Sequence, residues 1–263
     1  MILFRKKDRM TFPCKLIAFD LDGTLYLGEQ AVPGAIDLVQ DIRRRARVVF
    51  FTNNSTKTPR QIFEKLCRLQ IECAPEEIYT SSFATISYLQ EQALNRIFLV
   101  GSSDFHEEMT NYGITLVDNE SAEHVVVGLD SGFTYQKIAI ALSIILRGGR
   151  FIACNEDASF PVEGKKVMPG CGAMVGAIAA AVGRRPDFIV GKPHVYMLAK
   201  ISREHGVQPD ELMVVGDSLT SDMAMAREFR SPGVLIGGPL VIDPGIRQFK
   251  NLEEFQEYLR RNE

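Results

Sequence analysis

Short, uniformly apolar segments alternate with amphipathic stretches along almost the whole chain, and this alternation restricts the fold more than any single motif does. Strand-like segments fall at 15–20, 47–51, 96–100, 124–129, 150–154, 187–190, 211–216 and 233–237. Between them, helical spacing of apolar residues marks 34–45, 58–70, 81–93, 103–112, 134–147, 171–183, 194–205, 219–229 and 252–261. A strand that is apolar on both faces needs cover on both faces, and intervening helices supply it. The pattern predicts an α/β fold on a parallel sheet. Local signals fix some ends. Thr58, Pro59 and Gln61 read as N-cap, first-turn proline and capping-box partner. Gly148-Gly149 closes the helix before it. No internal repeat or low-complexity linker interrupts the series.

In open parallel sheets, ligands bind beyond the carboxyl ends of the strands. The first strand ends in Asp20-Leu21-Asp22-Gly23-Thr24, and the second is followed by Thr52-Asn53-Asn54-Ser55. Gly191-Lys192-Pro193 follows 187–190, and Asp217, then Asp222, follow 211–216. Two carboxylates 4 Å apart repel by roughly 4 kcal/mol at an effective dielectric of about 20. Three or four at one sheet edge therefore need compensating charge. A hard divalent cation with oxygen ligands supplies it, and magnesium favours one or two carboxylates plus water and phosphate. Lys192 adds a positive point charge, and hydroxyls and amides at Thr52 and Asn53 can hold anionic oxygens. Together these parts suit phosphoryl transfer.

Composition removes several other classes. The 263 residues allow one large domain or two modest ones, and the net charge of -3 argues against a surface built for nucleic acid. Arg43-Arg44-Arg45 sits in a helical pattern and reads as a solvated face. Five cysteines, at 14, 67, 73, 154 and 171, contain no CxxC pair, which suits a reducing compartment and gives no zinc site. Cys171, beside glycines, reads as a packed thiol without chemistry. The four histidines, at 106, 124, 194 and 205, lack metal-ligand spacing, and His194 reads as packing at a helix start. The longest small-apolar run, "AMVGAIAAAV", is about half a membrane span. The opening "MILFRKKDRM" places apolar residues before charges, the reverse of a signal peptide, and Met10 offers a second start. These features predict a cytoplasmic protein with no membrane partner. "DLDG" departs from a calcium loop, with its glycine at the fourth place and no glutamate at the twelfth. "GCGAMVG" at 170–176 lacks the spacing of a dinucleotide fingerprint, and "KKVMP" before it is a poor strand.

The ordered set "DLDGT", "FFTNNS", "GKP" and "GDSLTSD" resembles the four motifs of the haloacid dehalogenase superfamily, over essentially the whole chain from residue 15. About 130 residues separate the second motif from the third, and they contain "VVVGLD", "FIACNED" and "PGCGAMVGA". These resemble the α/β cap of the NagD-type and p-nitrophenyl phosphatase branch. The resemblance implies a Rossmann-like parallel-sheet core, 1–82 and 187–263, interrupted by a cap at 83–186. One departure stands out. The tail after Asp222 lacks the longer threonine-rich loop usual after the last strand, which leaves the edge of the core sheet undefined.

The resemblance also implies roles. Asp20 would be the nucleophile, forming an aspartyl-phosphate. Asp22 would protonate the leaving oxygen and then deprotonate water. Thr52, Asn53 and Lys192 would bind the phosphoryl group. Asp20, the Asp22 main-chain carbonyl and Asp217 would hold Mg2+, with Asp222 orienting Lys192 or a metal-bound water. In the cap, Asp130, Asn155 and Asp157 follow strands and are candidates to face substrate. The expected partner is a small phosphorylated metabolite: sugar phosphates, phosphoglycolate, nucleoside monophosphates and pyridoxal phosphate all fit. Transfer to another hydroxyl, as in a mutase, is a rival, as is a phosphate-ligand binding protein without turnover. The large cap favours hydrolysis, the intact motif set favours turnover, and Asp22 argues against a dehalogenase. The sequence leaves the oligomeric state open, a homo-oligomer included.

Overall fold

A computed structural model describes residues 14–162, 166–243 and 245–261. The start segment, including Met10, lies outside the described residues. The chain divides into two compact units. One takes the described residues up to Thr52, then Ile62–Tyr79, then Lys192 onward; the other takes Asn53–Gln61 and Thr80–Gly191.

The first unit carries a six-stranded sheet in the order Ile246–Phe249, Gly233–Ile236, Leu212–Gly216, Leu16–Asp20, Arg47–Thr52, Ile78–Thr80. The pairings from Ile246–Phe249 through to Arg47–Thr52 are parallel. Leu16–Asp20 is buried at every position, as a central strand covered on both faces must be. Helices supply the cover. Ala35–Arg43 buries Ala35, Leu38, Val39 and Ile42, spaced along one face. Leu252–Arg261 buries Leu252, Phe255 and Leu259 into the same apolar cluster as Phe19, Phe50 and Val215.

Register sets the functional edge. Phe19 pairs with Val215, and Asp20 with Phe51. Asp20, Thr52 and Asp217 therefore leave three adjacent parallel strands within about one residue of the same level, and neighbouring strands lie about 4.8 Å apart.

The second unit has a four-stranded parallel sheet in the order Phe188–Ile189, Phe151–Ala153, His124–Val127, Ile97–Val100. Its core joins Val125, Val127, Phe151 and Ala153 to the packed helices Tyr135–Leu146 and Cys171–Val182. Cys171 is buried there.

Two sequence expectations change. The edge left undefined by the short tail is closed by Ile246–Phe249, a half-buried strand that carries Arg247 and Gln248 and so lacks an apolar signature. "KKVMP", judged a poor strand, is one: Lys166–Pro169 pairs antiparallel with Ser159–Val162. Each residue of Lys166–Pro169 is exposed, so backbone pairing rather than burial defines that strand.

Candidate active site

The first unit gathers four acids, two hydroxyls and a lysine. Asp20 is 3% exposed. Its Oδ1 receives Lys192 Nζ at 2.5 Å, and its Oδ2 receives the Thr24 hydroxyl at 3.1 Å. Lys192 Nζ also donates to Asp222 Oδ1 at 2.7 Å, while Asp222 Oδ2 accepts the Ser218 N–H at 3.0 Å. The lysine thus bridges two buried carboxylates, with the Phe51 ring centroid 4.9 Å from its nitrogen. Gly216 makes this closeness feasible, because a Cβ there would lie 2.3 Å from Asp222 Oδ2.

Asp22 differs from Asp20 in its surroundings. It is exposed, and its Oδ2 accepts the Tyr26 hydroxyl at 3.2 Å and the Thr52 hydroxyl at 3.4 Å. Tyr26 is buried, and burial together with the Asp22 charge pushes its phenol far up, so it stays a donor.

Electrostatics separate the acids further. Burial pushes the Asp20 carboxyl well up, Lys192 pulls it back, and Asp222 and Asp217 push it up again; the net direction is up. Asp217 is raised by partial desolvation and then by the Asp222 charge. Burial works against the Lys192 ammonium, but Asp20 and Asp222 outweigh it and hold the lysine charged. One oxygen from each of Asp20, Asp217 and Asp222 lies within 4.8 Å of the other two. One lysine bridging two of three acids leaves net negative charge, and the donors are hard oxygens. Both properties fit a divalent cation.

The remaining candidates belong to the second unit. Asn53 follows Thr52 directly in the chain, and its Nδ2 donates to both oxygens of Asp157 at 3.1 and 3.0 Å. Asn155 Nδ2 donates to the Asn53 carbonyl at 2.7 Å. Asp130 is buried, with its carboxylate on Lys137 Nζ at 2.5 Å and on the Gly132 N–H at 2.8 Å. Asn54 Oδ1 accepts the N–H groups of Thr56 and Lys57, an Asx-type turn, and Ser55 Oγ accepts the Leu129 N–H. His194 lies in the turn before the Tyr196–His205 helix.

Sequence reasoning passed over Thr24 and Tyr26. Thr24 was within reach, being the last residue of the "DLDGT" stretch. Tyr26 had no local signal, since its contact with Asp22 depends on the turn between them.

Known proteins identify the family. Residues 17–115 match the model for haloacid dehalogenase-like hydrolases, and residues 189–238 match a second, HAD-hydrolase-like model. An acid sugar phosphatase of Staphylococcus epidermidis is 35% identical over 206 residues, 78% of this chain and 79% of the relative. The chain belongs to the haloacid dehalogenase-like hydrolases. An acid sugar phosphatase of Staphylococcus aureus is 36% identical over 211 residues, covering 80% of this chain and 81% of that protein. Among solved structures, a 4-nitrophenylphosphatase from Thermotoga maritima superposes with a TM-score of 0.86 at 28% identity, covering 93% of this chain and 97% of its own. A p-nitrophenyl phosphatase from Archaeoglobus fulgidus gives 0.85 at 27% identity over 93% and 98%. These neighbours place the chain in the NagD-type and p-nitrophenyl phosphatase branch of the family. Among the described residues, no helix is long and apolar enough to cross a membrane.

Proposed function

We propose that this chain is a Mg2+-dependent phosphatase of small phosphate monoesters that works through an aspartyl-phosphate on Asp20. The observation that carries this reading is the contrast between the two acids of one motif. Asp20 is buried and held through both oxygens, whereas Asp22, two residues on, is exposed. A held carboxylate suits a nucleophile, and an accessible one suits an acid that must meet both leaving group and water.

In the first step an Asp20 oxygen bonds to phosphorus, the ester P–O bond breaks, and Asp22 gives its proton to the leaving oxygen. In the second, Asp22 takes a proton from water, the water oxygen bonds to phosphorus, and the P–O bond to Asp20 breaks. Phosphate is released and both aspartates are restored. Lys192 stays charged throughout and offsets charge on Asp20 and the phosphoryl oxygens. Thr52 offers its hydroxyl to the phosphoryl group. Asp20, Asp217 and the Asp22 main-chain carbonyl would hold Mg2+, which would supply the positive charge that phosphoryl transfer requires. Asp222 holds Lys192 in place.

The unit of Asn53–Gln61 and Thr80–Gly191 serves as the cap in this reading, which favours small soluble esters over macromolecular substrates. The names of the staphylococcal relatives put sugar phosphates first in a substrate panel. The test is phosphate release from p-nitrophenyl phosphate and then from phosphorylated metabolites, ranked by kcat/KM. Asp20→Asn keeps the shape of the side chain and should abolish turnover in a correctly folded protein. Substantial turnover by that variant rules out the covalent route.

A further inference from the structure

Asp22 is exposed, and an exposed carboxylate turns freely unless something holds it. Two hydroxyls reach its Oδ2, that of Tyr26 at 3.2 Å and that of Thr52 at 3.4 Å. In the reading above Thr52 offers its hydroxyl to the phosphoryl group, and a hydroxyl has one proton to donate. Its bond to Asp22 is then given up when substrate binds. The mechanism asks nothing else of Tyr26.

Tyr26 is itself held from several sides. It is 1% exposed, in the apolar cluster with Phe19 and Phe50. The Gly23 N–H donates to the Tyr26 carbonyl at 2.9 Å and the Tyr26 N–H to the Leu21 carbonyl at 3.3 Å, so the chain doubles back and sets the phenol beside Asp22. Gly23 permits this turn, with φ at +91° and no room for a Cβ, which would lie 2.3 Å from Asp217 Oδ2. Over the ring, Lys65 Nζ stands 3.8 Å from the centroid, a cation–π contact. Lys65 and Arg68, on the Pro59–Arg68 helix, also reach the Glu29 carboxylate at 3.5 and 3.6 Å. Glu29 lies in the turn between Tyr26–Leu27 and Gln30–Ala31, which pair antiparallel. The lysine thus holds both the ring and the tip of its hairpin. All of these residues belong to the first unit.

We infer that Tyr26 is a positioning residue for Asp22, with Lys65 fixing its ring, and that Asp22 Oδ1 is the oxygen that passes the proton. The inference rests on the phosphatase reading, with Asp22 as leaving-group acid. A protonated carboxyl has a carbonyl oxygen, the better acceptor, and a hydroxyl oxygen. Tyr26 donates to Oδ2, so Oδ2 is the carbonyl and Oδ1 carries the proton. As the ester P–O bond breaks, that proton goes to the leaving oxygen, negative charge spreads over both Asp22 oxygens, and the Tyr26 bond strengthens. When water attacks, its proton returns to Oδ1. Tyr26 therefore acts through Asp22, and its benefit is largest where the leaving oxygen needs a proton.

The test uses the full chain with p-nitrophenyl phosphate and with the best alkyl phosphate of the metabolite panel. Tyr26→Phe keeps the ring and removes the hydroxyl. On the alkyl phosphate kcat should fall about 10- to 10²-fold, the worth of a hydrogen bond to a charged group, with KM unchanged. On p-nitrophenyl phosphate the fall should be much smaller. Lys65→Met keeps the stem and removes the charge; it should lose about 2- to 5-fold with the same bias towards the alkyl phosphate, and it decides the matter if Tyr26→Phe does not fold. In an Asp22→Ala background Tyr26→Phe should cost nothing further. Equal losses on the two substrates, full alkyl-phosphate activity in Tyr26→Phe, or a loss that persists without Asp22 overturns the positioning role. A Lys65→Met equal to wild type overturns the lysine's part in it. If wild type shows no turnover, or Asp22→Ala loses equally on both substrates, the phosphatase reading with its leaving-group acid has failed; if Asp22→Ala discriminates between them and Tyr26→Phe does not, only this inference has.

Discussion

Glu108 is a buried acid in the second unit, and it gives a stability prediction whose size follows from its surroundings. It sits on the Ser103–Asn111 helix at 6% exposure and accepts the Ser82 hydroxyl at 3.1 Å. Ser82 in turn shares a hydrogen bond with Thr80 at 2.9 Å. Burial pushes the Glu108 carboxyl up to about 7 from an ordinary 4.5, and the Ser82 hydrogen bond opposes this only in part. Between these pH values the folded protein keeps the proton that the unfolded chain has lost. Stability is therefore fully present below about 4.5, falls as pH rises towards 7, and levels off above it. At about 1.36 kcal/mol per pH unit, the loss approaches about 3 kcal/mol. Glu108→Gln removes the titration and keeps an acceptor for Ser82. Urea unfolding should show the variant equal to wild type near pH 4.5 and more stable by up to about 3 kcal/mol at pH 8, read from the transition that reports the second unit. A difference between the two proteins that does not change with pH would falsify the claim that burial raises the Glu108 carboxyl.

Three further outcomes test the site. Asp22→Ala should lose about 10²–10⁴-fold in rate on alkyl phosphates, and less on p-nitrophenyl phosphate, whose leaving group scarcely needs a proton; equal losses on both would remove the leaving-group acid role. Chelation should stop turnover and Mg2+ should restore it, while Ca2+, with its larger and more flexible shell, should inhibit. Full activity in excess chelator, with metal absent by elemental analysis, contradicts the cation reading. Gly216→Ala places a methyl group 2.3 Å from Asp222 Oδ2, so the carboxylate must leave Lys192. A fall in kcat of about 10²-fold is expected, and a fully active, stable Gly216→Ala shows that Lys192 needs no help from Asp222.

Much of the architecture was legible because the strands of both sheets are short apolar runs set between helices. Ile78–Thr80 was not, having only three residues, nor was Ile246–Phe249, where Arg247 and Gln248 break the apolar run. The hairpin of Ser159–Val162 and Lys166–Pro169 leaves no hydrophobic period either, because its second strand is exposed at each position. The gathering of Asp20, Lys192, Asp217 and Asp222 was legible for a different reason. Asp20 ends one strand of the six-stranded sheet and Asp217 follows its parallel neighbour, and such strands deliver their ends to one edge; Asp222 opens the helix after that neighbour, and Lys192 follows Phe188–Ile189, which belongs to the second unit's sheet. What a lone sequence does not carry is pairing at a distance. Asn53 and Asp157 are 104 positions apart, and nothing local to either marks the other as its partner.

That pairing bears on how the two units divide the work. The division between them falls at the Thr52–Asn53, Gln61–Ile62, Tyr79–Thr80 and Gly191–Lys192 peptide bonds. Thr52 is fixed by its place at the end of a central strand, and Lys192 by two buried carboxylates. Asn53 is held by Asp157, Asn155 and Ser81. Removing Asp157 or Asn155 takes away a hydrogen bond to Asn53 and should lower the melting temperature of the unit that carries them.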